Sequence, residues 1–381
     1  MPDNDIVYFD NAATTRIDPE ILKTYNEVCQ SYFANTSSIH ALGTRSFALL
    51  EKARKQIVDV LSLIEHEAIF TSGATEANNL VIKGVALTFS NRGKHMIVSE
   101  VEHPSVLEAV KQLEEHFGFD ITYLPINKEG KVDIDELQKA IRKDTILVSV
   151  MAVNNEIGSI NDIEEIGRLL KQYPKIYFHV DATQAIGKID ISYKDADFIT
   201  YSGHKIHSVK NSGALIKRKN IDLLPINSGG GQEKDFRSGT VDLASATSLA
   251  KATRIAISNQ KANFAQIAQI SQQILAYLKE NPSLYHINSS EENPYIINFS
   301  TLTKKASVVV EALSNRNIMV SSTSACHSRK EVGSYVVYAL TKEEKLSSNT
   351  VRISLSNENT LEDASKLINA LDEIIKEVKN K

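Results

Sequence analysis

Residues 175–205 read KIYFHVDATQAIGKIDISYKDADFITYSGHK. Two short apolar runs stand in it, 175–182 and 197–203, and neither alternates polar with apolar residues. A strand with one wet face alternates with period two, whereas a strand covered on both faces does not. Similar runs occur at EAIFTSG (67–73), HMIVSEVE (95–102) and TILVSVMAVNN (145–155). Between them lie segments of helical period, among them ATEANNLVIKGVALTF (74–89) and PSVLEAVKQLEEHF (104–117). Unalternated strands separated by helices predict an α/β fold on a mainly parallel sheet. In such sheets a ligand sits beyond the carboxyl ends of the strands.

Working outward, DPEILKTYNEVCQSYF (18–33) opens on Asp18 as a cap, with Pro19 at the first helical position. Cys29 falls on the apolar stripe of that segment and is expected to pack inward. HALGTRSFALLEKARKQIVDVLS (40–62) is a second amphipathic helix. A long helical stretch over 243–282 leads out of the α/β unit. Beyond it, PYIINFST, ASVVVEALSNRN, IMVSS, TVRISLSN and a final helix at 361–379 form a smaller α+β unit.

The chain has 381 residues, 42% of them hydrophobic, which is enough for a large buried core. A net charge of -4, with lysines interspersed among acids, gives no basic face for nucleic acid. No apolar run approaches the roughly 20 residues of a membrane helix, and the polar start MPDNDIVYFDNAATT is not a secretory signal. Two distant cysteines, Cys29 and Cys326, exclude a disulfide framework and suit a reducing cytosol.

The ends of the predicted strands carry the chemistry. Thr71-Ser72-Gly73-Ala74-Thr75 leads from a strand into a helix. Such a turn offers N–H groups and a dipole to a phosphate, and serves equally as a plain cap. His103, before Pro104, is a cap, a core residue or a catalyst. Asp181, before an expected helix, is by default a cap, with Gln184 one turn further on. Ser202, His204 and Lys205 close the last strand.

Together these groups suit one cofactor, pyridoxal phosphate. Its phosphate needs N–H and hydroxyl donors, its ring nitrogen an anion, its phenolic oxygen a donor and its aldehyde an amine. Lysine loses its proton readily on burial or near another cation, which leaves a nucleophilic amine. No GxGxxG follows a strand, and no GxxxxGK[ST] is present. His204 and His207 lack a third ligand nearby, so no metal site is expected, and His207 reads as a surface residue. Arg352, within a β-branched run, is an edge residue, half of a salt bridge, or a grip on a substrate carboxylate with Asn155 nearby. Cys326 stands in a polar loop with His327, Arg329 and Lys330, cations that favour a thiolate.

The segments YFDNAATT, NTSSIHALG, FTSGATEANN, EHPSV, VNNEIG, HVDATQAIGK, SGHKIH, RSGT, SACHS and VRISL span nearly the whole chain. In this order they resemble the NifS-like cysteine desulfurases, of the aspartate-aminotransferase (type I) pyridoxal phosphate fold. The resemblance implies a large cofactor domain over residues 16–257 and a small domain formed by 1–15 with 258–381. It makes Lys205 the lysine that binds the aldehyde, His103 the residue that stacks on the ring and moves protons, and Asp181 and Gln184 the partners of the ring nitrogen and phenolic oxygen. Ala74, Thr75, Ser202 and His204 would hold the phosphate, and Thr240 would reach it across a homodimer interface. Asn155 and Arg352 would clamp the carboxylate of L-cysteine, and Cys326 would accept its sulfur, leaving L-alanine. A cytoplasmic enzyme supplying an iron–sulfur scaffold or a tRNA-thiolation enzyme follows from the same resemblance. An aminotransferase or a selenocysteine lyase would share the cofactor, and Cys326 separates those readings.

Three departures stand out. Val209 and Asn211 replace the Pro and Gly more usual after the lysine, Thr323 stands where Gly is common, and Gln232–Phe236 differ from the family run. Asn tolerates left-handed backbone, so the turn at Asn211 is expected to survive.

Overall fold

The computed structural model describes residues 6–322 and 333–379. Its strands are β1 (Val7–Tyr8), β2 (His66–Thr71), β3 (His95–Ser99), β4 (Asp120–Leu124), β5 (Thr145–Ser149), β6 (Tyr177–Asp181), β7 (Phe198–Ser202), β8 (Gly213–Arg218), β9 (Tyr285–Ile287), β10 (Ile296–Thr301), β11 (Ile318–Met319) and β12 (Thr350–Ser354). The helices before the long connection are α1 (Pro19–Ser31), α2 (Ala41–Val60), α3 (Ala74–Phe89), α4 (Pro104–Phe117), α5 (Ile134–Ala140) and α6 (Ile163–Leu170). They are followed by α7 (Leu243–Glu280), α8 (Ala306–Ser314), α9 (Tyr335–Thr341), α10 (Glu344–Ser348) and α11 (Leu361–Lys379).

The central sheet has seven strands in the order β2-β8-β7-β6-β5-β3-β4. The five from β7 to β4 are mutually parallel, and β8 runs antiparallel to both β7 and β2. Strands β3, β5 and β7 are buried at every position, as their unalternated sequences require. Cores lie on both sides of the sheet, one holding Val148, Phe178 and Ile199 and the other Ile69, Leu147 and Phe198. Helices α3 and α4 begin and end where their sequence periods predict.

The 38-residue helix α7 packs on α1 and α2 near its start and on α11 and β9 further along, so it does leave the large sheet for a second one. That second sheet is antiparallel, in the order β12-β10-β9. Strand β1 pairs with β11, which puts the N-terminal segment on this side of the molecule. Ser354 at the end of β12 then holds the turn that follows β1: Ser354 N–H donates to Phe9 O at 2.7 Å, and Ala12 N–H donates to Ser354 Oγ at 2.8 Å.

Asp18 caps α1 as its position requires, accepting from Glu20 N–H at 2.7 Å. Cys29 does not pack inward, and here the expectation is corrected. It is exposed, because the inward face of α1 is carried by Ile21 and Val28. Asn211 takes a φ of +60°, the left-handed turn expected of it.

The departure at 232–236 has a structural cost. Glu233, Lys234 and Asp235 all have positive φ, at 50°, 57° and 69°. The strain is held by ion pairs: Glu233 meets Arg54 at 2.7 Å and Lys234 meets Glu67 at 2.5 Å. Asp235 is exposed and does not share in those two pairs. Asp235→Gly is therefore expected to raise stability by about 0.5–1 kcal/mol, seen as a higher midpoint in urea unfolding with an unchanged slope.

Candidate active site

The carboxyl ends of β2, β6 and β7 converge on one cavity of about 300 Å³. Its lining includes Ala74, Thr75, His103, Asn155, Asp181, Gln184, Ser202, His204, Lys205 and Arg352. Eleven residues spread over the described chain were singled out by sequence, and ten of them meet here. The eleventh, Thr240, lines a neighbouring cavity with Asn211 and Arg237. Cys326 and Thr323 lie outside the described residues.

Lys205 ends the single 3-10 turn that follows β7. It is half-buried, and its Nζ donates to Ala12 O at 2.5 Å and Ala13 O at 2.6 Å. The N-terminal turn thus receives the amine, and the cavity needs both parts of the molecule. His204 beside it faces Thr14 Oγ1 at 3.2 Å. Burial, then Lys205, Lys210 and Lys188, push its imidazole down to about 4, so it is neutral at pH 7. His207 is a second correction: it is half-buried, not a surface residue, and lies 3.0 Å from Arg16 O.

Helix α3 has Gly73 at its N-cap and no side-chain cap. Gly73 packs against Gly213, where a Cβ would come within 2.4 Å of the Gly73 Cα. Two glycines let β8 lie directly under this turn. Ser202 Oγ accepts from Ala74 N–H at 2.7 Å, so the hydroxyl and the helix start form one polar corner suited to an anion.

His103 is both things its sequence context allowed. It caps α4, and its Nδ1 accepts from Ser105 N–H at 3.1 Å and lies 2.8 Å from Ser105 Oγ, while its ring borders the cavity. With Nδ1 accepting, the neutral ring carries its proton on Nε2.

Asp181 caps a turn, not the helix expected after it; its Oδ1 accepts from Thr183 N–H at 3.0 Å. Its other oxygen accepts from Asn78 Nδ2 at 2.8 Å. Asn78 is held from behind: Thr200 Oγ1 donates to its Oδ1 at 2.5 Å. The single Thr200 proton being used, His179 Nε2–H must donate to Thr200 at 3.0 Å, and Ser149 Oγ donates to His179 Nδ1 at 2.8 Å. Burial pushes His179 down to about 4, so this chain of bonds runs through a neutral ring. Asn78 Nδ2 also donates to Ser105 Oγ at 2.9 Å, which ties Asp181 to the residue that orients His103. Nearby Glu102 is driven well above the carboxylate range by burial.

Arg352 is buried, stands on β12 at the edge of the small sheet, and is half of a salt bridge. Its Nη2 pairs with Asp10 at 3.0 Å and its Nη1 donates to Asn155 O at 2.9 Å. Arg352 Nε and Asn155 Oδ1 are buried at the cavity and have no partner among the described residues. Buried polar atoms left in this way mark a place built for a polar ligand.

Sequence reasoning missed Asn78, Ser105, Thr183 and the carbonyls of Ala12 and Ala13. Asn78 alone gave a signal, as a polar residue buried in the apolar run of α3.

The Aminotransferase class-V family profile matches residues 7–367. A NifS/IcsS protein homolog of Lactobacillus delbrueckii subsp. bulgaricus is 40% identical over 374 residues, covering 97% of each chain. The chain belongs to the class-V aminotransferase family, among the NifS/IscS cysteine desulfurases. Cysteine desulfurase IscS of Dictyoglomus turgidum is 37% identical, over 98% of this chain and 95% of its own. A solved NifS-like protein superposes with a TM-score of 0.90 at 32% identity, over 97% of this chain and 99% of that one. The cysteine desulfurases are pyridoxal phosphate enzymes, and the cavity fits that group. An amine, a carboxylate, an amide and an uncapped helix start face one space, and its size is at the low end for small-molecule sites.

Proposed function

We propose that this desulfurase takes sulfur from L-cysteine, leaving L-alanine, and carries it as a persulfide on Cys326 to an acceptor protein. The observation that carries the reading is the meeting of Lys205, Asp181, Gln184, His103 and Arg352 around one cavity. When bound, pyridoxal phosphate supplies an aldehyde for Lys205 and a ring that takes up the electron pair released at the substrate α-carbon.

The chain's own residues divide the remaining work. Ala74, Thr75, Ser202 and His204 hold the phosphate; Asp181 faces the ring nitrogen and Gln184 the phenolic oxygen. Lys205, once free, takes the α-proton, and His103 presents Nε2 as the second proton carrier. Arg352 and Asn155 hold the substrate carboxylate, with Arg352 Nε as the unused donor. The described residues flanking the Cys326 segment border this same wall. Ser321 bridges to Arg352 on one side. On the other, Ser334 bonds Glu156, and Tyr335 Oη donates to Glu102 O at 2.6 Å. Cys326 is five residues from Ser321, a reach of roughly 17 Å when extended.

The active unit is a homodimer in which Thr240 reaches the partner's phosphate corner. Its place outside the Lys205 cavity supports this, as does the exposure of Phe33 and Ile39, at 75% and 100%. Residues 16–257 form the cofactor domain, and 1–15 with 258–381 the small one. Among the described residues no helix is long and apolar enough to cross a membrane; we place the enzyme in the cytoplasm, serving an iron–sulfur scaffold or a tRNA-thiolation enzyme.

The test is to incubate the holoenzyme with L-cysteine and map the sulfur adduct by mass spectrometry. A persulfide on Cys326 with equimolar alanine is expected. Alanine and sulfide formed at the full rate by Cys326→Ala would remove Cys326 from the reaction.

A further inference from the structure

A second amine stands beside Lys205. Lys188 follows Gly187, whose φ is +74° and where a Cβ would come within 2.4 Å of Ala256 Cβ, so the turn that aims Lys188 admits only glycine. Lys188 Nζ donates to Gln184 Oε1 at 3.0 Å. Gln184 Nε2 donates in turn to Ala12 O at 3.0 Å, the same carbonyl that accepts from Lys205. One run of hydrogen bonds therefore joins the two amines. Both also line a second cavity, of about 90 Å³, whose other ionisable residues are Asp18, His207, Tyr295 and Glu358.

We propose that Lys188 is a positioning residue: its ammonium fixes which end of the Gln184 amide faces the cofactor, and its charge weakens the hold of Lys205 on a proton. An ammonium can only donate, so it claims Oε1 and leaves Nε2 as the donor, with one hydrogen on Ala12 O and one for the cavity. That is the polarity a phenolic oxygen requires. The charge acts through proximity, since a neighbouring cation disfavours a second protonated amine.

The surroundings set the working range. Burial first, then Lys205 and Arg352, push the Lys188 amine down to about 7, and the repulsion is mutual. His204 is neutral, and His207 is lowered chiefly by burial. No carboxylate lies within ion-pair distance of Lys188 among the described residues. Below about pH 7 Lys188 is charged and opposes a proton on Lys205; above it that opposition fades. Losing the charge and losing the oriented Gln184 donor both strengthen the proton's hold.

This inference rests on Lys205 being the amine that binds the aldehyde, which borohydride reduction and mapping of the adduct test separately. The holoenzyme's visible absorbance is titrated with pH in the wild type, Lys188→Met, Lys188→Gln and Lys188→Arg. Met and Gln are expected to raise the midpoint by about 0.5–1 unit, a three- to tenfold gain in proton affinity. Arg keeps the midpoint at or below the wild-type value. An adduct on Lys205 with midpoints unmoved in the neutral variants overturns the proposal, whatever happens to their melting temperatures. If Met does not fold, Gln decides.

Discussion

Lys205→Ala is expected to give a folded protein that forms no borohydride-trapped adduct and loses activity by at least about a thousandfold. The Lys205 amine bridges the carbonyls of Ala12 and Ala13 in the lining of a cavity that Asp181 also lines. No other described amine is so placed: Lys188 is engaged with Gln184 and reaches the cavity only through it. Lys205→Arg is the discriminating companion. It keeps a cation on the same carbonyls but offers no nucleophile at neutral pH, because a guanidinium does not give up its proton. Both variants should therefore fail alike in steady-state desulfuration. If Lys205→Arg retained a tenth of the activity, the amine would be acting as a charge alone. The structural cost is modest: about 1–2 kcal/mol for two hydrogen bonds at a half-buried position, measured as a lower melting temperature in the alanine variant.

The site was legible in the sequence wherever chemistry coincided with a strand end. Lys205, Asp181 and His103 each follow an apolar run, and the parallel sheet delivers such ends to one rim. What stayed hidden is what only tertiary packing creates. The reversed direction of β8 has no local signature, since a strand reads the same both ways. The short elements β4, α5, α6, α9 and α10 give too few residues for a period to declare itself. Cys29 misled because it lies one position past Val28 on a helix whose buried stripe is narrow. The carbonyls of Ala12 and Ala13 carry no side-chain signal at all; they serve Lys205 because Ser354 pins that turn from another part of the chain. Thr200 and His179 look like ordinary strand residues, and only the register of β6 with β7, which pairs Thr200 with Asp181, brings the His179 ring diagonally to 3.0 Å from Thr200 Oγ1.

Asp181→Asn is expected to lower kcat by about a thousandfold while the protein still binds the cofactor. The side chain keeps its shape but loses the charge that we propose faces the ring nitrogen. Its hydrogen bonds fail as well, for a reason specific to this chain. Asn78 Nδ2 faces the carboxylate at 2.8 Å and cannot turn away, because Thr200 holds its Oδ1. An amide at 181 that accepts from Thr183 N–H must then point its own NH2 at that of Asn78. Two buried donors left facing cost about 1–3 kcal/mol, so stability and activity fall together in the single variant. The pair Asn78→Asp with Asp181→Asn separates them. An aspartate at 78 accepts from Thr200 and from the new amide, so the melting temperature should recover. The negative charge, however, now sits one residue removed from the ring, and kcat should stay low. Recovery of kcat along with stability would mean that the buried network, and not the position of the charge, is what Asp181 contributes.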